Sequence, residues 1–245
     1  MRISPVTFQQ HKKINFAQAN YNNLSATSVP AKSQMSPVSN DFPWLKNMSI
    51  EFALNSLKNV TFSQNDVDYV NAMGLYLPFL SGQEAIKFMK ESNVRIGYTK
   101  MNDASIHAQY DFDKNFIGIN DKYKNTNDFP VILAISEAIF HEAGHAKDND
   151  GKSSVQEELE CLSLNVLAHK YHKALYPDIF KNKKEHIIAD GVELYTQLFF
   201  DKDPQKKALI KRVQDKYGFL PAGDEKHPPS QLAISIVNVY PLMTQ

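Results

Sequence analysis

Two histidines stand four residues apart, with a glutamate directly after the first, in His141-Glu142-Ala143-Gly144-His145. On a helix, positions i and i+4 share a face about one turn apart, so both imidazoles can reach one tetrahedral cation with bonds of about 2.0–2.1 Å. Glu142 lies roughly 100° around the same helix. That is too far round for a comfortable third ligand but well placed to take a proton from a metal-bound water. The spacing points to hydrolysis assisted by Zn²⁺, with His141 and His145 as ligands and Glu142 as general base.

A third ligand is expected from the segment that follows. The run Asp148-Asn149-Asp150-Gly151 is turn-forming, and Ser154 and Glu157 stand at capping-box spacing for a second helix. A helical hairpin turning near Asp150 brings residues 157–160 level with the two histidines, because both helices rise about 1.5 Å per residue. Helical phase then chooses among three acids. The second helix has an apolar stripe at Val155, Leu159, Leu162 and Val166, and Glu158 falls about 70° from its centre, while Glu157 and Glu160 fall roughly 130–170° away and are expected to face solvent. Glu158 is therefore the expected third ligand, and Glu157 is assigned to the cap.

The histidine helix itself is apolar on nearly every face from Val131 to Phe140, the pattern of a helix buried all round. Imidazoles and a carboxylate at the end of such a helix need a partner, since an unpaired buried polar group costs about 1–3 kcal/mol. Glu137, one turn before His141, is a possible orienting partner for a ligand imidazole. His169 is eleven residues beyond Glu158, about 16 Å along a helix, and is not expected at the same ion. Tyr195 or His186 are the candidate oxyanion stabilisers. Cys161 reads as a small core residue.

The elements that must position these residues follow from periodicity. Residues 1–40 are rich in Gln, Asn, Ser, Ala and Pro without a sustained period and are expected to be a disordered polar tail. Residues 41–92 carry short amphipathic helical patterns, a helical preface. Period-2 segments at Val94–Tyr98, Ile106–Tyr110 and Phe116–Asn120 predict a small sheet. Helical patterns return near 130–147, 154–175, 184–200 and 204–217, so residues 93–245 are expected as one α+β domain.

Composition narrows the partners. Lysine plus arginine equal aspartate plus glutamate at 27 each over 245 residues, which leaves no global field to gather nucleic acid or an anionic membrane. No apolar stretch approaches the roughly 20 residues of a membrane span, and Met1-Arg2-Ile3-Ser4-Pro5 lacks the apolar region of a secretory signal. With a single cysteine no internal disulfide can form, so a cytoplasmic location, or export by a non-classical route, is the expectation.

His141-Glu142-Ala143-Gly144-His145 followed by Glu158-Leu159-Glu160-Cys161-Leu162-Ser163-Leu164 resembles the HExGH…ExEAxxFA pattern of gluzincin-type zincins, including the ImmA/IrrE-like metallopeptidases. Metzincins differ, because Asp148 and Gly151 stand where they carry glycine and histidine. The resemblance implies a zincin fold, with a sheet beside the active-site helix whose edge accepts an extended peptide; Phe116–Asn120 or Ala108–Tyr110 would be that edge. The expected function is a zinc metallopeptidase acting on a peptide or protein substrate. A catalytically silent zincin-like module that binds a partner peptide is the alternative, and an interaction protein working through its first forty residues is a third reading.

Overall fold

The computed structural model describes residues 3–7, 47–181 and 187–237. Helices α1 (Met48–Lys58), α2 (Gln64–Ala72) and α3 (Gly82–Glu91) precede the strands β2 (Arg95–Thr99), β3 (Ile106–Asp111) and β4 (Phe116–Asn120). Strand β1 (Ile3–Thr7) comes before them all. Helices α4 (Phe129–Asp148), α5 (Val155–Leu175), α6 (Pro177–Lys181), α7 (Ile187–Phe199), α8 (Lys207–Tyr217) and α9 (Gln231–Val237) follow. The chain is thus α+β, with the sheet inserted between two sets of helices.

The early helices begin where the sequence supplies caps. Asn47 accepts from the N–H groups of Ser49 and Ile50, and Ser63 and Ser81 cap α2 and α3. The buried face of α1, Ile50, Ala53, Leu54 and Leu57, packs on α4. Gly82 is required where α3 meets α1: a Cβ there would lie 1.8 Å from the Leu57 carbonyl oxygen. The helical preface is therefore one wall of the same core and not an appendage.

The sheet runs β1-β3-β4-β2, with β2 parallel to β4 and the other pairs antiparallel. Phe116–Asn120, proposed above as a substrate edge, is interior, with Ile117 and Ile119 fully buried. Ala108–Tyr110 lies in the outermost of the three strands 95–120, but its outer side carries β1. Five residues of the expected polar tail thus form a strand, while residues 8–46 lie outside the described residues. Alternation over so short a span, interrupted by Pro5, falls below what periodicity can detect.

Helix α4 lies between the sheet and α5, with α1, α3 and α7 on its flanks. Every residue from Pro130 to Ala146 is buried, as its all-round apolar pattern requires. It stops at Asn149, which adopts φ 50 and donates to the His145 carbonyl, a left-handed cap that asparagine tolerates. No helix among the described residues is long and apolar enough to cross a membrane.

Candidate metal centre

The partners of α4 and α5 run in opposite directions: His145 meets Glu157, His141 meets Asn165, and Glu137 meets His172. The two helices form the antiparallel hairpin that the turn at Asp148–Gly151 implies. They approach closely at Gly144, where a Cβ would lie 2.6 Å from Cys161 Sγ and 3.4 Å from Leu164 Cδ1. A glycine between the two histidines and a small residue opposite bring Glu158 within reach of both imidazoles.

The three expected ligands converge. His141 Nε2 and His145 Nε2 are 3.1 Å apart, Glu158 Oε2 is 3.7 Å from the first, and Glu158 Oε1 is 3.8 Å from the second. Donors around a tetrahedral zinc with bonds of about 2.0–2.1 Å sit about 3.3 Å from one another. The two carboxylate distances run to different oxygens; with one donor atom from each residue the three lie within 4.8 Å of one another, and all three side chains are buried. Among the described residues, these are the histidines, cysteines and acids grouped closely enough that they could hold a metal ion.

The outer nitrogens of the imidazoles are already engaged. His141 Nδ1 lies 2.6 Å from Asn165 Oδ1, and His145 Nδ1 lies 2.5 Å from Glu157 Oε1. An amide oxygen can only accept, so the His141 proton sits on Nδ1 and the Nε2 lone pair faces the triangle. Ligand histidines are commonly held this way, by an acceptor on the far nitrogen. The donor set fits a divalent cation on its own geometry.

Electrostatics agree with the grouping. Burial lowers the His141 pKa to about 4, against the pull of Glu158. Burial works against a charged His145 as well, yet its neighbours, Glu157 and Glu158 among them, raise it well above the ordinary histidine range. Cys161 adds no charge there at neutral pH, because burial pushes its thiol up to about 12. Glu158 resists its own burial through His145 and His141 and falls to about 2.

Glu142 is in a different situation. It is fully buried, and burial raises its pKa to about 8, with His145 and the Tyr110 N–H acting in the opposite sense. Neither of its oxygens makes a hydrogen bond of ordinary geometry among the described residues. A buried carboxyl group with only the Tyr110 N–H toward it is costly to fold in its charged form.

Several neighbours were not foreseen. Asn165 is seven residues beyond Glu158 on α5, two turns on along the same face, so helical spacing could have found it. Tyr217, on α8, hydrogen-bonds Glu158, and its own pKa is raised far above the usual value by burial first and by that carboxylate. Lys216 brings an ammonium whose pKa burial lowers to about 7, although Glu158 and Glu142 oppose the drop. Nothing in the local pattern of 207–217 signals these two. Tyr195 is buried near Glu158 and hydrogen-bonded to Arg212, while His186 lies outside the described residues.

Two expectations are corrected. Glu157 and Glu160 do not face solvent; they are 3% and 4% exposed. Residues 221–230 wrap the start of α5, with Val155 and Gln156 donating to the carbonyls of Pro221 and Ala222, and His227 Nδ1 lies 2.7 Å from Glu160 Oε2. The phase argument assumed a wet polar face, and a distant segment covers it. Glu157 does join the cap through its N–H to Ser154 Oγ, but its carboxylate serves His145. Glu137 orients neither ligand; it pairs with His169 and His172, and Asn165 and Glu157 take that role.

No family model, curated protein or solved structure matches the chain. The functional reading therefore rests on this geometry.

Proposed function

We propose that the chain is a zinc-dependent metallopeptidase of the zincin kind, with His141, His145 and Glu158 holding the ion and Glu142 as general base. The observation that supports this most is the combination of three converging donors with one buried carboxyl group beside them that no side chain hydrogen-bonds and only the Tyr110 N–H faces. Structural zinc sites close with four protein ligands. The group here supplies three, leaving a position for water or a carbonyl oxygen.

When bound, zinc supplies Lewis-acid polarisation and makes water acidic enough to react near neutral pH. Glu142 takes the proton of the attacking water as oxygen bonds to the peptide carbon. It returns that proton to the amine nitrogen as the carbon–nitrogen bond breaks. Tyr217 steadies Glu158 by its hydrogen bond, and Asn165 and Glu157 fix the rings.

Glu142→Gln tests the assignment. Zinc content, measured by atomic emission, should be unchanged, while cleavage of a mixed peptide library falls roughly 10²–10⁴-fold. Undiminished cleavage by that variant rejects Glu142 as the base. A second reading, a silent zincin-like module that binds a partner peptide, is favoured by the closure of the site: His141, Glu142, His145 and Glu158 are at most 5% exposed. Zinc binding without cleavage by the unaltered chain would select it.

A further inference from the structure

Strand β1 lies along the outer side of β3, the edge that the peptidase reading assigns to an extended peptide. Helix α4 packs against β3 and β1 on the side of the sheet nearest the metal-binding group. Tyr110 of β3 directs its backbone N–H field at Glu142, and its side chain lines the cleft with His145 and Glu157. Ser4 is the residue paired with Tyr110, and Pro5 and Val6 are paired with Gln109 and Ala108. The outer edge of β3 therefore passes the candidate base, and residues 3–7 already form an antiparallel ladder along it.

The same backbone groups cannot serve two strands. A peptide added to the outer edge of β3 would need the N–H and C=O groups that β1 now uses. The pairing of β1 is also weak by construction. It spans five residues, and its register breaks between Val6 and Thr7. A segment tied to the same chain competes at a fixed effective concentration, so a weak ladder still occupies its edge until something displaces it.

We infer that residues Ile3–Thr7 are a built-in competitor for the substrate edge, occupying the backbone-binding side of β3 and controlling entry of an extended peptide to the site. The competitor role rests on the peptidase reading above; the occupancy of the edge does not. The segment acts as a removable strand, and its affinity for β3 sets the fraction of molecules open to substrate.

Two opposite substitutions in the full zinc-loaded chain test this. Val6→Pro removes the N–H next to the one Pro5 already lacks, on the opposite side of the strand, and should loosen the pairing; Pro5→Val supplies a β-branched residue of higher strand propensity and should tighten it. Val6→Pro is expected to raise kcat/KM on a mixed peptide library about five-fold, the worth of one backbone hydrogen bond, and Pro5→Val to lower it by a smaller factor. A substitution that merely damaged the fold would not raise activity. Hydrogen exchange provides a readout independent of catalysis: the amides of Ile106–Asp111 should exchange faster in Val6→Pro and more slowly in Pro5→Val. A synthetic peptide of residues 1–10 should restore the slow exchange when added to Val6→Pro.

Equal exchange of β3 in all three chains, with no effect of the peptide, overturns the occupancy. Shifted exchange with identical kcat/KM overturns the competitor role and leaves the peptidase reading standing. Shifted exchange with no cleavage by any of the chains removes the peptidase reading and retains the occupied edge.

Discussion

The α4–α5 interface carries two buried polar clusters built from the same residue types and wired in opposite ways. Toward the start of α4, each imidazole meets acids: His169 lies 3.1 Å from Glu137 and 2.9 Å from Glu193, and His172 lies 2.8 Å from Glu137. Lys173 completes the set at 2.7 Å from Glu193. Toward the end of α4, His141 and His145 spend their outer nitrogens on Asn165 and Glu157 and turn their inner nitrogens on each other and on Glu158. The first cluster is complementary in charge, and only His172 Nε2 is left without a hydrogen-bond partner among the described residues. The second gathers electron-pair donors around a point, an arrangement that a cation satisfies better than any side chain present.

This contrast separates a charge-paired network from a candidate metal site more sharply than burial does, since both are buried. It also predicts that damage to the two clusters reads out differently. The largest effect is expected at the donor triangle: Glu158→Gln should abolish stoichiometric zinc binding, measured by atomic emission after dialysis, and with it any peptide cleavage. Full zinc retention by that variant would remove Glu158 from the ligand set. The matching change in the other cluster, Glu137→Ala, takes the acid from His172 and one of two from His169 and should lower the unfolding free energy by about 3–5 kcal/mol, as broken buried pairs do. Its zinc stoichiometry should stay at the wild-type value in the folded fraction, because Glu137 touches neither ligand. If Glu137→Ala lost zinc at unchanged stability, the two clusters would not be separable as described.

The charge-paired cluster should also announce itself through pH. Burial opposes a charged His169, but Glu137 and Glu193 outweigh it and raise its pKa from the ordinary 6.5 to about 9. A group whose folded pKa is raised stabilises fully below its unfolded value and loses that contribution as pH climbs through the folded one. The His169 contribution is therefore complete below about pH 6.5 and fades toward pH 9, with an upper bound of about 3 kcal/mol for the whole window. The acids work in the other direction: Glu193 is held well below its usual range despite its burial, by His169 and Lys173, so its share is present above the ordinary carboxylate range and is lost in acid. Urea unfolding at pH 6.5 and 9.5 should show wild-type stability falling, and His169→Gln should flatten that fall. An equal fall in the variant would assign the pH dependence elsewhere.

What the sequence disclosed follows the same division. His141, Glu142, His145 and Glu158 were legible because their relation is local: one helical spacing, one turn, one helical phase. Even there helical phase put Glu158 beside the two imidazoles, while Glu157 and Glu160 are not on a wet face, since residues 221–230 bury a side that phase alone assigns to water. The order of helices and strands was legible from periodicity, but the sheet order was not, because pairing of β1 with β3 joins residues about a hundred positions apart through backbone groups that carry no side-chain signature. Tyr217 and Lys216 were hidden for a similar reason. They reach Glu158 from the last turn of α8, and nothing in an amphipathic eleven-residue helix tells which of its residues will meet a distant carboxylate.

The smallest effect is expected where the two clusters come closest in kind, at Asn165. Its amide oxygen fixes the His141 ring as an acid would, yet it adds no charge. Asn165→Ala should keep zinc stoichiometric at high metal but weaken affinity about 10- to 100-fold, the usual loss when an orienting partner of a ligand histidine is removed. Asn165→Asp would give the His141 Nδ1 a carboxylate like the one Glu157 gives His145 and should hold zinc at least as tightly as the unaltered chain. Competition with a zinc-binding dye would rank the three chains. Affinity unaltered in Asn165→Ala would mean that the His141 ring is held by its packing between α4 and α5 alone, and that the outer hydrogen bond follows from the site's geometry instead of setting it.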